Sequence, residues 1–147
     1  MRGLLIDSYD QKVTDLDLPD EAEEFDQCVK EALCCKSFID TQSFVHSCTA
    51  FVDTTSLDNS LIIFIDQDCL INLGNRAFLS PMLPFPLFGN AVLVGRNLVT
   101  GEKEDLLDHG NTLLSSLEFL TPEFTDIARK NVYETFKGLK DNLLYNR

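Results

Sequence analysis

Apolar positions along the chain fall into short runs separated by polar clusters, and the spacing within each run assigns it to strand or helix. Gly3-Leu4-Leu5-Ile6-Asp7 and Lys12-Val13-Thr14-Asp15-Leu16-Asp17-Leu18, divided by a polar turn at Ser8 to Gln11, predict a two-stranded hairpin. Phe25, Val29, Ala32 and Leu33 then recur at helical spacing. Pro19-Asp20 opens that helix: Asp20 is placed to cap it, Glu23 closes a capping box, and Glu21, Glu24 and Glu31 face solvent. Its apolar stripe is expected to pack on the hairpin.

Residues 37–72 are rich in β-branched and aromatic types, which predicts strands at Ser43 to His46, Thr49 to Asp53 and Leu61 to Asp66 in an antiparallel meander. Between 73 and 89, three Pro and two Gly interrupt Leu and Phe, so an ordered loop pressed against the core is expected. Gly89-Asn90 can supply positive φ, Ala91 to Val94 reads as a buried strand, and Thr100-Gly101-Glu102 reads as an exposed turn within a polar excursion from Gly95 to His109. Asn111 to Leu120 predicts a short helix capped by Asn111. Thr121-Pro122-Glu123 starts another, whose stripe is Phe124, Ile127, Ala128, Val132, Phe136, Leu139 and Leu143, with Lys130, Lys137 and Lys140 on the wet side. That stripe either closes the core or forms half of a homodimer interface.

These elements predict one α+β domain over residues 1–147, with a core at 3–120 and a C-terminal amphipathic helix at 122–144. An antiparallel sheet of about five strands carries a helix after the first hairpin, and C-terminal helices pack on one face. The length suffices for a core without disulfide or metal staples.

Charge narrows the function. Twenty-four Asp and Glu against twelve Lys and Arg leave a formal charge of −12, which disfavours direct binding to nucleic acid or anionic membrane. The excess sits early: residues 1–26 carry nine acids and two bases, whereas residues 121–147 carry four and five. No apolar run is long enough to span a bilayer and the amino terminus lacks a signal-peptide pattern, so a cytoplasmic protein is expected. Five cysteines (Cys28, Cys34, Cys35, Cys48, Cys69) without CxxC pairs read as reduced, mostly buried thiols.

Across residues 3–120 the chain resembles a family of small uncharacterised proteins of bacterial plasmids and phages. The landmarks are Gly3-Leu4-Leu5-Ile6-Asp7 with Lys12-Val13-Thr14, Ile65-Asp66-Gln67-Asp68-Cys69-Leu70-Ile71-Asn72, the stretch from Pro84 to Gly95, and Thr112 to Leu120. Phe88, Asn90 and the long helix after Pro122 depart from that pattern. The resemblance implies a mobile-element accessory protein acting on host defence or gene expression, in the host cytoplasm.

Candidate chemistry is sparse. Asp15, Asp17, Asp20, Glu21, Glu23, Glu24 and Asp26 place seven carboxylates in twelve residues. Such an array can imitate a phosphate row and occupy a basic cleft, or simply solvate a helix start. Arg76 and Arg96, with Asn75, Asn90 and Asn97, can bind a phosphorylated small ligand such as a nucleotide messenger, or pair with surplus acids. Asp66-Gln67-Asp68 is either half of a cation site or a plain turn, and His46 with Cys48 offers two metal ligands but not four. His109 beside Asp108 lacks a nucleophile in a known frame. The expectation is a non-enzymatic protein with no metal or cofactor that inhibits or modulates a host protein, such as a basic nucleic-acid-binding one, through its acidic surface. Sequestration of a phosphorylated ligand through Arg76, Asn90, Arg96 and Asn97 is the alternative.

Overall fold

The computed structural model describes residues 1–41, 61–69, 76–80, 86–106 and 117–132. The described part is an α+β structure built on antiparallel sheets. Strands β1 (Arg2–Asp7), β2 (Lys12–Asp17), β3 (Phe38–Asp40), β4 (Leu61–Asp66), β7 (Ala91–Arg96) and β8 (Lys103–Glu104) form one sheet in the order β2-β1-β7-β4-β3, with β8 continuing beside β7. β5 (Ala77–Leu79), β6 (Leu87–Phe88) and β9 (Glu118–Phe119) form a second sheet in the order β6-β5-β9. Helix α1 (Ala22–Leu33) follows the first hairpin, and residues 122–132 form a second helix, α2.

The large sheet is the middle layer. Ile62, Phe64, Val92 and Val94 turn to one face and meet Phe25, Val29 and Leu33 of α1. Leu61, Ile63, Ile65, Ala91 and Leu93 turn to the other and meet Phe78, Leu87 and Phe88 of the small sheet and Val132 of α2. Burial on both faces explains why β4 and β7 read as unbroken apolar runs rather than alternating ones. Phe64 anchors the α1 layer with edge-on rings from Phe25 and Phe38, at centroid distances of 5.8 and 5.3 Å.

Several expectations are corrected. The hairpin stands, as does the strand Leu61–Asp66, but β4 has β3 and β7 as its two neighbours, so the strand expected at 49–53 is not the one beside it. α1 covers β7, β4 and β3 rather than the hairpin alone. Its cap is Glu21, not Asp20: the Glu21 carboxylate accepts from the Glu23 and Glu24 N–H groups at 3.1 and 2.9 Å. The sheet has six strands rather than five, and α2 lies across it from α1. Residues 76–80 and 86–89 are not a loop, because β5 and β6 pair with each other. Within the polar excursion, Lys103–Glu104 is a strand and Leu106 is buried. The helix expected up to Leu120 gives way at Glu118–Phe119 to β9, which pairs with β5. The strands expected at 43–46 and 49–53, residues 107–116, and the stripe beyond Val132 lie outside the described residues.

α2 begins where Thr121-Pro122 signals it, with Thr121 Oγ1 accepting from Phe124 N–H at 3.2 Å. Its inward face differs from the apolar stripe. Thr125, Arg129 and Val132 are buried, whereas Phe124 and Ile127 are 62% and 56% exposed. Thr125 Oγ1 accepts from Ala77 N–H at 3.2 Å, and the Arg129 guanidinium lies 5.5 Å over the Phe88 ring while its Nη1 donates to Asp126 Oδ1 at 3.2 Å, so each inward polar side chain has a partner that the apolar stripe does not reveal.

Candidate functional site

The strand directions divide the candidate residues between two ends of the large sheet. β1 finishes, β4 finishes and β7 begins at one end; β2 finishes, α1 begins and the β7–β8 hairpin turns at the other.

Of the seven acids, Asp17, Asp20, Glu21, Glu23 and Glu24 gather at the second end, Asp15 stands one step in from it, and Asp26 on α1 pairs with Lys30 Nζ at 3.4 Å, which leaves six for the binding surface. Asp15 and Asp17 lie on β2 at the margin of the sheet, Asp20 follows it, and Glu21, Glu23 and Glu24 form the cap and first turn of α1. All six are exposed. Local chemistry puts them there: charged side chains suit an edge strand, and acids in a first turn favour the helix dipole. Among the described residues their cationic neighbours are few. The Met1 amino group lies 3.8 Å from Asp17 and 3.5 Å from Asp20, and Arg2 lies 3.7 Å from Asp15. All three carboxylates are largely in water, so these pairs neutralise little.

The β7–β8 hairpin closes the same end. Asn97 Oδ1 accepts from Val99 and Thr100 N–H groups at 2.9 and 3.1 Å, and Gly101 takes φ 76°, as the turn requires. Lys103 Nζ then sits 4.0 Å over the Phe25 ring and Asp105 Oδ1 accepts from Arg2 N–H at 2.8 Å, which ties the hairpin to both α1 and β1.

Arg76, Asn90, Arg96 and Asn97 do not form one cluster. Asn90 precedes β7 and Arg96 ends it, roughly 20 Å apart at about 3.4 Å per residue. Arg76, just before β5, lies at the Asn90 end, its C=O accepting from Gly89 N–H at 2.7 Å, but its Nη2 donates to Leu120 O at 2.8 Å. Asn97 serves the hairpin turn. Asn90 is a buried tie between three elements: its Oδ1 accepts from Ser8 N–H at 3.1 Å, its Nδ2 donates to Ala32 O at 3.2 Å, and the Ser8 hydroxyl donates to Gly89 O. Asp66 Oδ1 accepts from Asp68 N–H at 2.9 Å, making Asp66-Gln67-Asp68 a capped turn.

The first end holds a cluster that composition and spacing did not reveal. Tyr9 lies near Cys34, Asp66, Asp7 and Arg129; its phenol is pushed up by burial first, then by the negative neighbours, with Arg129 opposing. Beside it an open depression of about 530 Å³ is lined by Gln27, Lys30, Glu31, Cys34, Cys35 and Lys36. Cys34 is exposed, against the expectation of mostly buried thiols, and takes the left-handed conformation (φ 54°, ψ 44°) that ends α1. Burial, reinforced by Asp66, pushes the Cys35 thiol up to about 11. Burial also raises Cys28, with Glu31 and Asp17 adding to it. Such thiols are poor nucleophiles and poor metal ligands at neutral pH. Among the described residues no group of three or more His, Cys, Asp or Glu converges to hold a metal ion, and no helix is long and apolar enough to cross a membrane. His46, Cys48, Asp108 and His109 lie outside the described residues.

No protein-family model, curated protein or solved structure matches the chain.

Proposed function

We propose that the protein is a non-enzymatic binding protein whose acidic end, from β2 into the first turn of α1, engages a basic surface on a partner protein. One observation supports this reading above the others: Asp15, Asp17, Asp20, Glu21, Glu23 and Glu24 are all exposed, they are consecutive in the fold, and among the described residues only the Met1 amino group and Arg2 pair with them. A one-signed surface of this kind raises encounter rates with basic partners and repels nucleic acid. The plasmid and phage resemblance makes the partner a host protein, and occupation of its nucleic-acid cleft would inhibit it.

The test is affinity for a lysine-rich polypeptide, measured at low and physiological salt. Binding should weaken steeply with salt, and the Glu23→Gln, Glu24→Gln double variant should bind less tightly while melting within a few degrees of the parent. Glu21 is left in place because it caps α1. Salt-independent affinity, or an unaffected double variant, would rule the acidic surface out as the contact.

A further inference from the structure

We infer that the acidic end takes its partner as an added β-strand: β2 is a docking edge for an extended segment of another protein bearing Lys or Arg at alternate positions. This rests on the acidic-surface reading above and specifies the form of the partner.

β2 ends the six-stranded sheet, with β1 on one side and no second neighbour among the described residues. The phase of its backbone follows from Met1 and Leu18, which exchange both hydrogen bonds: Met1 N donates to Leu18 O at 2.7 Å and Leu18 N to Met1 O at 2.8 Å. Bonded and non-bonded pairs alternate along an antiparallel ladder. The bonded pairs are therefore Gly3↔Leu16, Leu5↔Thr14 and Asp7↔Lys12, and the non-bonded pairs are Arg2↔Asp17, Leu4↔Asp15 and Ile6↔Val13. Arg2 agrees with this phase, since its N–H and C=O turn away from β2 to Asp105 Oδ1 and Leu106 N at 2.8 and 2.9 Å. The backbone groups of Val13, Asp15 and Asp17 consequently point off the edge of the sheet.

The same two aspartates place their carboxylates on one face of the strand, with side chains 78% and 100% exposed. A strand laid antiparallel along this edge bonds at Val13, Asp15 and Asp17. Its residues opposite Asp15 and Asp17 project on the carboxylate face, with Cβ atoms about 5 Å from theirs. Lys or Arg at those positions forms two cross-strand pairs of opposite charge, while the backbone bonds supply sequence-independent affinity. Arg2 approaches Asp15 at 3.7 Å from the β1 side, which leaves the outer side to the incoming cation. A second copy of β2 would instead set aspartates beside aspartates. The charges that keep copies of this edge apart thus select a basic strand.

The experiment uses the whole protein and a capped peptide of alternating Lys and Val, in three forms: unmodified, N-methylated on the lysine amides, and N-methylated on the valine amides. In the added strand the lysine amides face β2 and the valine amides face away. With unmodified peptide at about ten times its Kd, exchange of the Val13, Asp15 and Asp17 amides should slow about tenfold, while Thr14 and Leu16, already bonded to β1, stay unchanged. Methylation on lysine should abolish binding and methylation on valine should spare it. Asp15→Pro should likewise abolish binding, whereas Asp15→Asn should only weaken it. Equal binding of both methylated peptides, with no amide protected, overturns strand addition and leaves the acidic surface standing. No binding of any form at low salt overturns both.

Discussion

Replacing Asn90 by alanine removes a side chain that ties the β1–β2 turn and the end of α1 to the start of β7. Ser8, whose N–H donates to Asn90 Oδ1, has no exposed surface, and Asn90 itself is 7% exposed. The variant leaves the Ser8 N–H buried without a partner, at about 1–3 kcal/mol. It also frees the Ala32 carbonyl at the more accessible end of α1, at about 1 kcal/mol more. The sum is about 2–4 kcal/mol, which at a urea dependence of about 2 kcal/mol per molar lowers the unfolding midpoint by about 1–2 M. Asn90→Asp keeps the acceptor for Ser8 but sets a carboxylate against Ala32 O, so at neutral pH it should be nearly as destabilised. Equilibrium urea unfolding followed by far-UV circular dichroism measures both. An alanine variant within 0.5 kcal/mol of the parent would show that Asn90 does not hold these elements together and would return it to the ligand-binding candidates.

Four further outcomes are expected. Cys34→Gly should stabilise the protein by about 1 kcal/mol in the same assay, because glycine takes the left-handed helix end without a Cβ penalty. Gly95→Ala should destabilise by about 1–3 kcal/mol, since its Cβ would lie 2.5 Å from the Asp105 carbonyl oxygen; a neutral result would show that β8 yields freely. Iodoacetamide at pH 8 should label Cys34 well before Cys35 and Cys28 by peptide mass mapping, given the exposure of the first and the raised thiols of the others. The folded Cys35 thiol holds its proton up to about 11 against an ordinary value of 9.0, so its contribution to stability is complete below pH 9 and lost as pH rises toward 11. A stability rising over that interval in the parent but not in Cys35→Ala would contradict the assignment.

Legibility followed the physics of each element. β4 and β7 were readable because burial on both faces leaves an unbroken apolar run, and β1–β2 because a polar turn divides two strand-like runs. β5, β6 and β9 were not, since each is two or three residues long and gains its partners from distant sequence: Phe78 faces Leu87 on one side and Phe119 on the other. Runs that short carry no period. The cap of α1 moved one residue because Asp20 and Glu21 are both competent acceptors and only the backbone path selects Glu21. The stripe of α2 misled for a different reason. Hydropathy ranks Phe124 and Ile127 above Thr125 and Arg129, but Thr125 meets the Ala77 amide and Arg129 the Phe88 ring, and such partners are invisible along the chain.

The candidate site divided in the same way. The acids were legible as a run because they are local in sequence, and the outward phase of Val13, Asp15 and Asp17 was not, because it depends on which pairs of the β1–β2 ladder are bonded. The cluster of Tyr9, Cys34, Asp66 and Arg129 draws on four separate elements and left no sequence signal.

The most direct test of the central claim is a heteronuclear NMR titration of the labelled full chain with a lysine-rich peptide at low salt. Shift changes confined to residues 12–24, with Met1 and Arg2, and reversed by added salt are the expected result. Changes centred on the depression around Lys30, Cys34 and Lys36, or spread evenly over the surface, would contradict an acidic binding end on this protein.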